Sequence, residues 1–532
     1  MKTIIQKNSK TLLILSLLLI VYLPYILSVG YSPGDDSFHV NFINENPSIY
    51  ENVKLNLSIA PARPISGIIL GFSHGIIKNN IVFYNLISLS LWIVSGLILK
   101  NIFKLLINKE FSKIFFIIFS FPYICFSIFL GNHVWSGYIL FIFFWSIAFY
   151  FQVKFYKDYK KIYYLLYTIF LIISFFTFEL IIPLLVINFL IPLIFKIDKK
   201  KFVINFIIIL SFALFYLFFK IYFLPSLFNT EVYGYSEINI TTFLQSIYFF
   251  YAILVENIIL LLASLKYSFN IFSIILFLLI LLIFKNFKQK QKLKNNLIFI
   301  IFFLSLASCF LIFLISGYPA VTYGHYNKTL VPAFLCFSFL ITYFFLYFRI
   351  NKYFIILFIF LASNSTYIQI KNNAEATKIR NNLIEKLIFN IKKYNIETDD
   401  IILVNSPLFV EDNYNNEEIV FTTWDIKFRI VDKTKKNINF WLISDRLITD
   451  PSYYPVANFM NSKYFRNDTN NEKRLFYLEF NEKTSKFENF ENKKEVFNKI
   501  NYLKEKSINF DKFILREKIR LKLKKIVTKI IS

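Results

Sequence analysis

The sequence predicts a polytopic α-helical membrane protein followed by a C-terminal extramembrane α/β or α+β domain. Three observations predict it. Apolar runs of about 20 residues, the length a helix needs to cross a bilayer, recur through the first 370 residues. Hydrophobic side chains make up 56% of the 532 residues and the mean hydropathy is +0.53, whereas soluble domains run at roughly 45–50% apolar. From about Lys371 to Ser532 the composition turns charged and polar over a length that suffices for a small domain. The division expected is therefore 1–370 and 371–532.

Each element follows in order. Lys2, Lys7 and Lys10 precede the first run, residues 11–29, and keep the N-terminus cytoplasmic by the positive-inside rule. This run is long and no A-x-A-like cleavage site follows, so it reads as a retained span. The loop Gly30–Gly75 is then extracytoplasmic, and Ile65–Ile77, which overlaps its end, is too short to cross and lies in or dips into the interface. Spans follow at 81–99, 114–130 and 137–153, and the run Ile162–Phe195 is split at Glu179 into two more. A seventh span covers 202–223. In 243–284 the lysine-rich KNFKQKQKLKNN downstream favours one crossing preceded by an interfacial helix. Runs at 297–316, 330–348 and 353–368 complete about eleven spans and leave the C-terminal region outside. That region starts with a helical pattern, NNAEATKIRNNLIEKLIFNIKKY, and holds strand-like runs in DDIILVNSP and INFWLISD. It ends in FDKFILREKIRLKLKKIVTKIIS, a basic amphipathic helix suited to an anionic membrane surface.

Many of the lysines behind the formal charge of +25 sit in short loops between apolar runs, where they set topology and argue against nucleic-acid binding. Cys125, Cys309 and Cys336 all lie inside apolar runs and read as small buried residues, with no CxxC metal site. No P-loop, Rossmann glycine fingerprint or GxSxG elbow occurs, which disfavours ATP-driven transport and nucleotide-sugar chemistry.

Residues able to do chemistry concentrate in the first outer loop. Asp35 and Asp36 supply either a general base with a partner carboxylate, or ligands for a divalent metal such as Mg or Mn. The alternative is an Asx turn or helix cap after Pro33-Gly34. His39 is close enough in sequence to join such a metal or to hydrogen-bond a carboxylate. Arg63, before Pro64, offers bidentate contacts to a phosphate, or anchors the chain at the interface. Glu179 is a carboxylate among apolar residues, at a cost of roughly 2.5–3.5 kcal/mol at a helix centre. It either binds an acceptor hydroxyl, supports the catalytic loop, or makes a structural hydrogen bond between helices. The outer loop TYGHYNKTLVP adds Tyr323, His325, Tyr326 and Lys328, the lysine being a point-charge partner for phosphate or an interfacial anchor. His74 and His133 read as interfacial.

The layout of a first span, the acidic GDD pair, a long outer loop and then ARP before a short apolar helix resembles the GT-C class of membrane glycosyltransferases. It resembles most the bacterial group that includes O-antigen glucosyltransferases. The resemblance implies a polyprenyl-phosphate-linked sugar donor and inverting transfer on the outer face of a bacterial inner membrane. The acceptor would be a surface polysaccharide, glycolipid or protein. It also implies Asp35 or Asp36 as base, Arg63 at the donor phosphate or holding the loop, and a basic residue near His325 and Lys328 meeting the lipid phosphate. An O-antigen polymerase or ligase, and a transporter or flippase without chemistry, are the competing expectations.

Overall fold

A computed structural model describes residues 2–30, 43, 48–59, 61, 63–130, 132–195, 199–219, 223, 240–268, 270–285, 287, 296–316 and 325–397 of the chain. Beyond these it describes 400–405, 430, 433–434, 436, 439–443, 475–481, 484 and 486–490. The described part is mostly helical. Its helices are α1 (Lys2–Ser28), α2 (Ile49–Ile59), α3 (Pro64–Ile77), α4 (Ile81–Leu106), α5 (Lys109–Phe119), α6 (Asn132–Asp158), α7 (Lys161–Thr177) and α8 (Leu185–Leu190). They continue with α9 (Lys199–Phe218), α10 (Ile240–Tyr251), α11 (Asn257–Ala263), α12 (Ile271–Phe284), α13 (Asn296–Ser308), α14 (Phe310–Ser316), α15 (Val331–Tyr347) and α16 (Lys352–Lys393). Against about eleven expected crossings, seven helices among the described residues are long and apolar enough to span a membrane. The shorter apolar runs include Lys161–Thr177, Glu179–Phe195 and Ile271–Phe284. Glu179 and Pro183 interrupt the first two as a single helix, because 3-10 turns flank α8 at Glu179–Leu184 and Ile191–Phe195. Within 240–284 the chain forms α10, a π turn at Ala252–Glu256, α11 and then the short α12.

The expected single span at 114–130 is corrected. Helix α5 stops at Phe119, and the chain turns past Pro122 into a 3-10 turn at Phe126–Phe129. Proline has no N–H to give to the carbonyl four residues back, and the Ile118 carbonyl instead accepts from the Phe121 amide at 3.1 Å. All of 120–130 is buried. Irregular backbone survives in an apolar interior only where its polar groups find protein partners. Here Trp92 Nε1 donates to the Phe119 carbonyl at 3.1 Å, Tyr22 to Ser120, Gln369 Nε2 to Tyr123 at 2.7 Å, and Tyr25 to Phe129 at 2.9 Å.

Helices α2 and α3 form a hairpin whose closeness depends on glycine. Gly67, Gly71 and Gly75 recur every fourth residue, the spacing that lets two helix backbones approach. A Cβ at Gly71 would lie 2.4 Å from Val53 Cα, and one at Gly75 would lie 2.8 Å from Ile49 Cα. His74 is on this same face. It is fully buried, with Nδ1 3.1 Å from Asn56 Nδ2. Gly71→Ala is expected to open the hairpin and destabilise the protein by about 1–3 kcal/mol, the range for overpacking. Gly67→Ala, where the nearest atom is 3.2 Å away, is expected to be milder. Thermal unfolding of the two purified variants checks the difference.

Several chain segments gather at one end of the bundle. Asn85 Nδ2 ties the start of α4 to the exit of α1, donating to Tyr25 and Val29 carbonyls at 3.1 and 2.9 Å. The amide of Gly30 donates to Thr377 Oγ1 of α16 at 3.3 Å. Helices α4 and α15 run the same way, with Trp92 beside Phe334 and Phe103 beside Phe339, and Lys328 ahead of α15 meets Tyr138 near the start of α6. Their C-terminal turns therefore carry Lys100 and Lys104, Lys154 and Lys157, and the following Arg349 and Lys352 to the opposite end.

The chain divides into two compact units, the first built mainly on residues 1–378 and the second on residues from 379 onward, so the division falls inside α16. The compositional shift at Lys371 leaves this helix unbroken to Lys393. In the second unit strands β1 (Ile401–Asn405), β2 (Asn439–Ile443), β3 (Leu475–Asn481) and β4 (Lys486–Phe490) form one sheet in the order β2-β1-β3-β4. The β1 strand is parallel to both β2 and β3, and β4 is antiparallel to β3. Ile402 and Val404 alternate inward, as do Phe476 and Leu478. The segment from Phe510 to Ser532, expected as a basic amphipathic helix, lies outside the described residues.

Candidate functional site

Two local breaks in regular structure place the central pair. Arg63 precedes Pro64, and a residue before proline is pushed out of the α region; it holds φ −130° at the corner between α2 and α3. Phe178 ends α7 in an extended conformation, φ −162° and ψ 136°, which turns Glu179 away from the helix. The two side chains meet as a fork. Arg63 Nε donates to Glu179 Oε2 at 3.0 Å, and the Arg63 terminal nitrogen donates to Oε1 at 2.6 Å. Paired parallel bonds of this kind are the strong form of a carboxylate–guanidinium contact.

Aromatic rings extend the pair into a cluster. The Arg63 guanidinium carbon lies 3.8 Å from the centre of the Phe178 ring, within cation–π range. Phe178 packs on Tyr138 with ring centres 4.4 Å apart, and Lys328 Nζ is 5.6 Å from the centre of the Tyr138 ring. Gly137 leaves room for this packing, since a Cβ there would sit 3.0 Å from Ser66 Oγ and 3.1 Å from the Phe178 ring. Arg63, Glu179 and Lys328, each singled out separately in the sequence, are thus brought together at one end of the bundle. Desolvation by these neighbours pulls the Arg63 pKa down. The charge and hydrogen bond of Glu179, with smaller help from Tyr138 and Tyr216, outweigh it and leave the pKa above the ordinary guanidinium value.

The arrangement does two things chemically. It fixes the chain at Arg63, where the first loop returns, against the end of α7. It also brings Lys328 into the same ring cluster, with its Nζ over Tyr138. Asp35, Asp36, His39 and Tyr323 lie outside the described residues, as do the side chains of His325, Tyr326 and His133. The backbone of His325 opens the 3-10 turn His325–Leu330, which holds Lys328 in a buried position. Among the described residues no three His, Cys, Asp or Glu side chains come together as a metal site.

No family model, curated protein or solved structure matches the chain.

Two polar features escaped the sequence reading. Glu256 is a second carboxylate in an apolar run; it is buried, closes the π turn and accepts from the Tyr248 hydroxyl. The next residue, Asn257, accepts from the Tyr123 hydroxyl at 2.6 Å. The second feature is the buried face of α16, mostly polar from Ser363 to Thr377. An acid amid leucines, and Gln and Asn at spacings of three and four, were the available signals.

Proposed function

We propose that the chain is an integral-membrane glycosyltransferase that moves a sugar from a polyprenyl-phosphate donor to a glycan, glycolipid or protein acceptor. The observation that carries this reading is the forked Arg63–Glu179 pair. It pins the return of the loop bearing Asp35 and Asp36 to one end of the bundle, and Lys328 stands in the same cluster. Asp35 or Asp36 acts as general base on the acceptor hydroxyl, and Lys328 offers a point charge to the departing lipid phosphate. Arg63 acts here through its carboxylate partner, as a positioning residue.

Sidedness follows from charge. The opposite end collects the lysines of α4 and α6, which the positive-inside rule assigns to the cytoplasm; this supports an outer-face position for the cluster. On this topology the broken segment at 109–130 and the runs Lys161–Thr177, Glu179–Phe195 and Lys199–Phe218 bring the count to about eleven crossings.

Translocation without chemistry is the second reading, because broken helices at membrane depth often hold transported ions. Against it, the freed carbonyls of Phe119, Ser120, Tyr123 and Phe129 are already taken by protein donors. Membranes from cells expressing the protein, given radiolabelled polyprenyl-phosphate hexoses, are expected to transfer label to lipid or polymer acceptors above the level of membranes lacking it. Absence of transfer from every donor would overturn the reading.

A further inference from the structure

Helix α16 is built inside out. Its first turns expose large apolar residues, Tyr353, Phe354 and Leu357, in the manner of a lipid-facing surface. From Ser363 onward its buried positions become mostly polar, with Ser365, Thr366, Gln369, Asn372, Asn373 and Thr377 recurring at helical spacing and Ile370 and Ala376 buried among them. A helix of a packed bundle ordinarily turns an apolar stripe inward. The charged residues of the same stretch face the other way: Lys371 and Glu375 are 61% and 41% exposed and pair with each other at 3.8 Å.

Most of this polar face is spent on packing. Gln369 Nε2 donates to the Tyr123 carbonyl, Asn373 Nδ2 donates to the Gln369 carbonyl at 2.8 Å, and Thr377 Oγ1 accepts from Gly30. Asn372 is the exception. Its side chain is 7% exposed and its Nδ2 has no hydrogen-bond partner. Leaving a buried amide donor unpaired is costly, and native proteins rarely do so without a reason. Asn372 lies one turn from Gln369 at one edge of this face, and Thr377, about 1.4 turns on, lies at its other side. Thr377 in turn touches Gly30, from which the Asp35–Asp36 loop departs.

We propose that this inward face of α16, with the Asn372 amide at one edge, is a subsite for the hydroxyls of a sugar ring. The buried face from Ser363 to Thr377 carries no formal charge, which suits a neutral ligand. Side-chain amides and hydroxyls both donate and accept, as hydroxyl groups require. The inference rests on the glycosyl-transfer reading and adds to it the residues that hold the sugar.

The test uses the purified full chain and three probes: bare polyprenyl phosphate, polyprenyl-phosphate hexoses (glucose, galactose, mannose), and the corresponding methyl glycosides. Native protein is expected to bind one hexosyl lipid or methyl glycoside more tightly than its sugar-free or mismatched counterparts. Preference confined to the hexosyl lipid assigns the subsite to the donor sugar, and binding of the methyl glycoside assigns it to the acceptor. Asn372→Leu and Asn372→Asp are expected to weaken that binding about five- to tenfold, the scale of one lost hydrogen bond. Bare polyprenyl phosphate should bind both variants as it binds native protein. Asn372→Leu is also expected to leave the melting temperature unchanged or raise it, because it removes an unpaired donor; a purely structural asparagine would lower it. The subsite is overturned if both variants bind every probe as native protein does, or if Asn372→Leu lowers the melting temperature with no effect on sugar binding. If native protein transfers sugar while the variants keep its KM, the subsite alone falls. If native protein neither discriminates the sugars nor transfers them, the glycosyl-transfer reading falls with it.

Discussion

Glu179→Ala is expected to destabilise the protein by about 2 kcal/mol and to lower sugar transfer by about 100-fold. The first figure lies between two limits: breaking a buried pair costs about 3–5 kcal/mol, and exposed pairs contribute about 0–1. The Arg63 and Glu179 side chains are 33% and 25% exposed, which places them between. Removing the carboxylate leaves a guanidinium packed on Phe178 with no counter-charge. The effect on transfer follows because the pair fixes the chain at the loop's return, and misplacing a reacting group by about 1 Å costs on the order of 100-fold. Arg63→Ala is expected to do much the same, and the double variant to cost little more than either single one, as coupled partners require. Arg63→Lys keeps the charge but loses the fork, and is expected to fall between native and Arg63→Ala. Unfolding and transfer measured on the native protein and all four variants check this. Additive losses in the double variant would mean that the two residues act independently.

The apolar runs made the helical membrane class legible, because crossing a bilayer demands length and composition that soluble folds do not supply. Charge inside those runs made Glu179 legible as an expensive side chain. Its partner was not, since Arg63 stands 116 residues away and a single sequence carries no record of contacts. The same holds for Tyr138 and Lys328, joined to the pair through Phe178. The break after α5 was written in the sequence as Pro122, yet the apolar residues around it imitate a continuous span. What permits the break is distant: Tyr22, Trp92 and Gln369 supply the donors that its carbonyls need. Gly67, Gly71 and Gly75 were likewise visible as a four-residue repeat, and their meaning depended on which helix lay opposite.

Asp35 and Asp36 carry the heaviest chemical burden. A positioned general base contributes roughly 10²–10⁴-fold to rate, and Asp→Asn preserves size while removing the basic oxygen. One of the two variants, Asp35→Asn or Asp36→Asn, is therefore expected to lose transfer by about that factor with unchanged expression and melting temperature. The most direct measurement is single-turnover transfer of label from a polyprenyl-phosphate sugar by the purified, reconstituted protein, native against each variant. Near-complete loss in one variant is the predicted result. Transfer at the native rate by both would contradict the assignment of the base to this loop.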